Sequence, residues 1–249
     1  MALLASLLLA ACGEDAPEPA TSPAVATSEQ PAERAATGSA GASERWLAGD
    51  GRWIELRGGA RVPLFDRPGS ERVAVAGPRT EFGSPMSFGV LGERDGGEWL
   101  EVTTALGPPN GPLWVRSDPA VMRYRSTPYE IHVDLSGRRL ELRRDGEPVR
   151  TIPVTVGGEA TSTPAGRFAI TDIVVRDLDH SVYGCCALAL SAHQPSLPPG
   201  WIGGDRVAIH GTDGELGVAA STGCIRLSDR DLIDLTRTVG LGTPVVVEA

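Results

Sequence analysis

Turn residues set the first limit on this chain: 31 Gly and 20 Pro fall among its 249 residues, about a fifth of the total. Proline removes a backbone donor, and glycine loses more freedom on ordering than any other residue, so long helices are disfavoured. Short strands joined by tight turns are what such a chain builds. Tyr129-Glu-Ile-His-Val-Asp-Leu135 alternates apolar and polar residues with period two. Ser136-Gly137 turns it into Arg138-Arg-Leu-Glu-Leu-Arg143, and Asp145-Gly146 leads on to Thr151-Ile-Pro-Val-Thr-Val156. Further strands are predicted at Arg167–Thr171, Ala187–Leu190, Arg206–His210 and Thr243–Glu248. One amphipathic helix stands out. Ser228 caps it, Asp229 and Asp231 occupy its positive end, and Leu232, Ile233, Leu235 and Val239 supply an apolar face before Gly240.

Residues 46–125 carry a different set of short runs. Arg61-Val-Pro-Leu-Phe65 precedes Asp66-Arg-Pro-Gly69, and Ser87-Phe-Gly-Val-Leu91 precedes Asp95-Gly-Gly97. Glu98-Trp-Leu-Glu-Val102 then reaches Pro112-Leu-Trp-Val-Arg116 through Gly107-Pro-Pro-Asn-Gly111. Strands at this spacing predict a small barrel. Their order resembles a bacterial SH3-like domain, with Trp99 and Trp114 as its anchors, and such domains in cell-wall proteins bind peptides or wall material. Both tryptophans are expected to pack the core rather than form a ligand platform.

The start of the chain points outside the cytosol. Met1-Ala-Leu-Leu-Ala-Ser-Leu-Leu-Leu-Ala-Ala-Cys12 is an apolar run ending in small residues, the pattern of a secretory signal. Leu9-Ala10-Ala11-Cys12 resembles a bacterial lipobox, which implies acylation of Cys12 and anchorage to a membrane at the cell wall. Residues 13–45 hold no aromatic residue and only Val25 as a β-branched aliphatic. They cannot bury enough surface to offset their ordering entropy and are read as a disordered tether. A net charge of −9 excludes an electrostatic nucleic-acid binder, which needs a basic face.

Export makes the cysteines informative. With Cys12 acylated, Cys185, Cys186 and Cys224 cannot all pair, so one thiol is left over. Adjacent Cys185 and Cys186 lack the spacing of a zinc site; two buried thiols or a vicinal disulfide remain open. Cys224 follows Gly223 within Ser221-Thr-Gly-Cys-Ile-Arg-Leu227, downstream of Ile209-His-Gly-Thr212. A cysteine nucleophile needs a base and backbone donors for an oxyanion. Gly223 permits close backbone approach, and His210 is the candidate base. An adjacent imidazole is expected to lower the thiol pKa.

His-Gly-Thr, then Ser-x-Gly-Cys-Ile-Arg-Leu and an Asp-rich helix start, resembles the signature of the YkuD-type L,D-transpeptidases. Thr163-Pro-Ala-Gly-Arg-Phe168 and Thr243-Pro-Val-Val-Val247 are similar to two further elements of that family, so the resemblance runs from residue 128 to 248. With the SH3-like resemblance, it implies a mostly β chain: a small SH3-like barrel over 46–125, then a YkuD-type β-sandwich with one packed helix over 128–249. It also implies a role for each residue. Cys224 attacks the third residue of a tetrapeptide stem, D-alanine leaves, and His210 shuttles the proton while the Gly211 carbonyl orients its ring. The N–H groups of Gly223 and Cys224 form the oxyanion hole. Ser221 and Arg226 hold the loop, Arg226 also being a candidate for the stem carboxylate. Thr222 replaces a second histidine found in many members and bears on acceptor binding; the loop before Ser221 is shorter than in many. Tyr183 is expected to flank the cleft. His193 corresponds in order to a segment lining the donor groove, an exposed loop histidine being the alternative, and His132 and His180 carry no such signal. No cofactor is implied. The family is acylated by carbapenems. A 3→3 cross-linking transpeptidase, an L,D-carboxypeptidase using the same thioester, and a non-catalytic wall-binding lipoprotein are the three readings.

Overall fold

A computed structural model describes residues 51–175 and 183–249. The leader through Cys12, the tether 13–45 and His180 lie outside the described residues. Strand β1 (Arg52–Leu56) pairs with β4 (Ser87–Arg94) on one side and β7 (Met122–Ser126) on the other, all antiparallel. With β2 (Val62–Phe65), β3 (Arg72–Ala76), β5 (Trp99–Val102) and β6 (Leu113–Arg116) they form one seven-stranded sheet, ordered β3-β2-β6-β5-β4-β1-β7. Alternate residues such as Ile54, Leu64, Phe88, Leu100 and Val115 turn inward and form its own core. Trp99 and Trp114 are half-buried and stand outside that core, which corrects the expectation that they pack it: Trp99 packs edge-on against Phe65, and Trp114 lies beneath the Arg94 guanidinium.

The second half is a mixed sheet of eight strands. Hairpins join β8 (Tyr129–Asp134), β9 (Arg139–Arg144) and β10 (Glu147–Pro153). Asp145 (φ 53°) and Gly146 (φ 85°) both take positive φ, the turn that matches the twist of two adjoining strands. Because β10 is the edge, Pro148 and Pro153 cost it little pairing. The two-residue β11 (Val156–Gly157) leaves this sheet to pair with β15 (Ala219–Ser221). The main sheet continues through β12 (Gly166–Val174), β13 (Ala187–His193), β14 (Arg206–Thr212) and β16 (Ile225–Ser228). Helix α1 (Asp229–Thr238) follows, and β17 (Pro244–Glu248) inserts between β8 and β12. Ile131, Ile152, Phe168, Leu188, Ile209 and Val245 lie in the core of this sheet.

The described residues are mostly β with one α-helix, as the turn-rich sequence predicts. Ser228 caps α1 by accepting the Asp231 N–H at 3.1 Å. Ile233, assigned above to the apolar face, is 36% exposed, whereas Leu232 and Leu235 are buried. One residue advances a helix by about 100°, which carries Ile233 off the narrow stripe that Leu232 and Leu235 define. The predicted strand over 151–156 is divided, because Val154 and Thr155 break the chain between β10 and β11. Strands β1, β3, β7, β15 and β16 had no clear sequence signal.

The two sheets meet through matched small residues. Strand β4 crosses β12 where Gly89 faces Ala169; a Cβ on Gly89 would stand 2.9 Å from the Ala169 Cβ. Trp53 of β1 lies over Gly242, which sits at φ 76°. Arg206 reaches back to Glu81 at 2.6 Å, and Thr80 hydrogen-bonds Asp172. Gly242→Ala adds a methyl that overlaps the Trp53 ring at a backbone angle unfavourable for any L side chain. A loss of about 2–4 kcal/mol is expected from overpacking plus left-handed strain, measurable by chemical denaturation.

Candidate active site

Strand β14 delivers the histidine. Val207 and Ile209 join the hydrophobic core, so the alternation of the strand sends His210 to the other face. His210 Nδ1 lies 2.9 Å from the Gly211 carbonyl oxygen. A carbonyl only accepts, so Nδ1 carries the hydrogen and Nε2 keeps its lone pair, the state a base needs. The Tyr183 ring meets the imidazole edge-on, centroids 5.0 Å apart. Burial pushes the His210 pKa down to about 4; the Gly211 carbonyl opposes this, and the Arg226 charge adds to it.

Strand β16 runs parallel to β14, with Ile209 opposite Ile225 and His210 opposite Arg226. Cys224 therefore enters the sheet one residue before the strand that flanks the histidine. Cys224 is the free thiol among the described cysteines, because Cys185 and Cys186 are bonded to each other. Burial raises its pKa, against a hydrogen bond with the Ala208 backbone and the Arg226 charge, both of which pull it down. The expectation of a lowered thiol pKa is thus corrected. Desolvation is the largest effect on both groups, and it favours the uncharged thiol and the uncharged imidazole.

The loop before Cys224 is held from several sides. Ser221 Oγ accepts the Gly223 N–H at 3.1 Å and donates to the Cys224 carbonyl at 2.5 Å. The Ser221 carbonyl accepts the Gly158 N–H at 2.9 Å and the Thr161 hydroxyl at 3.0 Å. The Gly223 N–H is therefore occupied, which corrects its expected place in an oxyanion hole. Gly223 itself adopts φ 112°, open essentially to glycine alone. Arg226 exchanges backbone hydrogen bonds with Thr155 at 2.8 Å each way, and its Nε is buried without an acceptor among the described residues.

Tyr183, Thr222, Cys224, His210 and Arg226 line one cleft, together with Gln194, Leu197, Trp201, Asp205, Arg206 and Val207. His193 lies elsewhere. Its Nε2 is 2.9 Å from the Ala105 carbonyl, its Nδ1 is 3.0 Å from Asp205, and its backbone exchanges hydrogen bonds with the Asn110 side chain. Both ring nitrogens are engaged between the two sheets, so the donor-groove assignment is corrected: His193 is an interface residue. Sequence reasoning missed Gln194, Trp201 and Ala208. A glutamine in a proline-rich loop and an alanine in a strand carry no chemical signature.

Comparison with known proteins follows this geometry. The model of the YkuD L,D-transpeptidase catalytic domain matches residues 128–247. The YkuD protein of Bacillus licheniformis is 33% identical over 131 residues, which span 52% of this chain and 71% of that protein. The chain belongs to the YkuD L,D-transpeptidase family. The YkuD protein of Bacillus subtilis is 32% identical over 122 residues, 48% of this chain and 66% of the relative. Among solved structures, an L,D-transpeptidase from Mycobacterium smegmatis aligns at 19% identity and TM-score 0.39, over 55% of this chain and 73% of that one. The catalytic domain of this L,D-transpeptidase family member thus carries His210 and Cys224, and the family acts on peptidoglycan peptides.

The neutral pair has a pH signature. Alkylation of Cys224 by iodoacetamide needs thiolate, so its rate is expected to climb into the alkaline range above that of an ordinary thiol. With His210 as the base, the rate of acylation by a carbapenem is expected to hold on acidification until the pH falls towards about 4, where the imidazole is protonated. A plateau in alkylation around neutral pH would instead reveal a preformed thiolate–imidazolium pair.

Proposed function

We propose that this chain is a cysteine L,D-transpeptidase that forms 3→3 cross-links between tetrapeptide stems. The observation that carries the reading is the placement of a free thiol and a tautomer-fixed imidazole in one cleft, the imidazole on β14 and the thiol on the residue that leads into its parallel neighbour β16. As the Cys224 sulfur attacks the carbonyl of the third stem residue, His210 Nε2 takes the thiol proton. The imidazolium then donates it to the leaving D-alanine amine, and a thioester remains. An amine from a second stem attacks the thioester next, His210 removes its proton, and the C–S bond breaks as that proton returns to the Cys224 sulfur. The Gly211 carbonyl keeps the ring in one tautomer throughout. With the Gly223 N–H held by Ser221, the oxyanion falls to the Cys224 N–H. The Arg226 guanidinium, whose Nε lacks an acceptor, is suited to an oxygen of the stem. Thr222 and Tyr183 contribute to the cleft wall where donor and acceptor meet.

Around this core we place an SH3-like domain over 46–125, a tether over 13–45 and an acylated Cys12 that anchors the protein outside the cytoplasm. The self-contained core of the seven-stranded sheet supports the first of these. The leader composition supports the others.

The test uses the full chain with a purified disaccharide-tetrapeptide and mass spectrometry. Wild type is expected to release D-alanine and yield a cross-linked dimer, Cys224→Ala to do neither, and His210→Ala to lose about 100- to 10,000-fold in rate. D-alanine without dimer is the carboxypeptidase result. No turnover by folded wild-type protein overturns the enzymatic reading in favour of the wall-binding one.

A further inference from the structure

We propose that Gln194 is a positioning residue: its carboxamide fixes the peptide before Gly223 so that the Cys224 N–H faces the carbonyl under attack. This rests on Cys224 being the acyl-enzyme nucleophile. Gln194 follows β13 directly and is only 5% exposed. Its Nε2 stands 3.1 Å from the Thr161 carbonyl, 3.1 Å from that of Ser162 and 3.3 Å from that of Thr222. Its Oε1 accepts the Ser196 N–H at 2.9 Å, and its own backbone N–H donates to Asp205 at 2.7 Å. Three acceptors on one side and a donor on the other give the amide a single orientation, since a flip would set oxygen against three carbonyls.

The consequence lies in which peptide units are tied. The Thr222 carbonyl and the Gly223 N–H belong to one peptide unit. Gln194 holds its oxygen and Ser221 Oγ holds its N–H. The Cys224 carbonyl, in the unit after next, is held by the Ser221 hydroxyl. Between these two pinned units lies the Gly223–Cys224 peptide, which carries the N–H assigned to the oxyanion. Its direction follows from the φ of 112° at Gly223, and that angle is set by the anchored unit before it. The glycine and the amide are complementary, because a Cβ on Gly223 would overlap Gln194 Nε2. The same amide ties Thr222 to residues 161–162.

Two reactions of the same sulfur separate this role from general support. In carbapenem acylation the S–C bond forms, the lactam C–N bond opens, the nitrogen takes the thiol proton through His210, and charge passes through the carbonyl oxygen. In alkylation by iodoacetamide the sulfur displaces iodide from a saturated carbon, and no carbonyl oxygen gains charge. Gln194→Met keeps length without donors, and Gln194→Glu keeps shape while facing the carbonyls with oxygen. In the full chain, both variants are expected to lose roughly 100-fold in second-order acylation, the scale of one oxyanion donor, with alkylation within about threefold of wild type. Thermal melts verify folding, and hydrogen exchange at the Gly223 and Cys224 amides is expected to quicken at least about tenfold. Equal losses in both reactions, or no loss in acylation, overturn the proposal. If wild type itself is not acylated, the transpeptidase reading fails instead. The exchange rates then decide on Gln194 alone, and unchanged protection of the two amides refutes it.

Discussion

The parallel pairing of β14 with β16 is the contact on which the site depends. A parallel neighbour requires a crossover, and here the crossover runs from Asp213 to Cys224 with β15 inside it. That path returns the chain alongside β14, with Cys224 directly before the Ile209–Ile225 pair. A histidine and a cysteine 14 positions apart are thereby brought to one cleft. The apolar partners Ile209 and Ile225, both fully buried, hold the register that makes this possible. A one-residue slip would turn His210 into the core.

Burial then decides the chemistry of the pair. Both groups favour their neutral forms because the cleft removes water from around them, and the nearby Arg226 reinforces this for the histidine while opposing it for the thiol. In the proposed mechanism the thiol is uncharged at rest and reacts as a substrate carbonyl supplies somewhere for the charge to go. The same dry environment strengthens any hydrogen bond to a developing oxyanion. The loop geometry around Gly223 and Ser221 matters for that reason more than for stability.

The seven-stranded sheet reaches this site through side chains that flank it. Arg206 lines the cleft, donates to Thr171 and the Leu190 carbonyl, and pairs with Glu81 of the other sheet. Asp205 lines the cleft and also meets His193, whose backbone and far nitrogen are held by Asn110 and Ala105. Residues 205 and 206 therefore belong to both the cleft wall and the junction between the sheets.

The sequence by itself determined the strand-rich class, the single helix with its Ser228 cap, and the two residue types needed for thiol chemistry. These are local matters: period-two alternation, turn residues and a short motif are all written within a few positions of one another. Tertiary structure decided the rest. Burial, a property of the assembled sheet, favours the uncharged Cys224 thiol against the local expectation. Hydrogen-bond competition gave the Gly223 N–H to Ser221, and His193 went to the sheet junction because partners nearly 90 residues away claimed both its nitrogen and its backbone. Gln194 acquired its place only through carbonyls at 161, 162 and 222, which no spacing in the chain announces. Long-range pairing is invisible to a reading of neighbours, and it is what orients a catalytic loop.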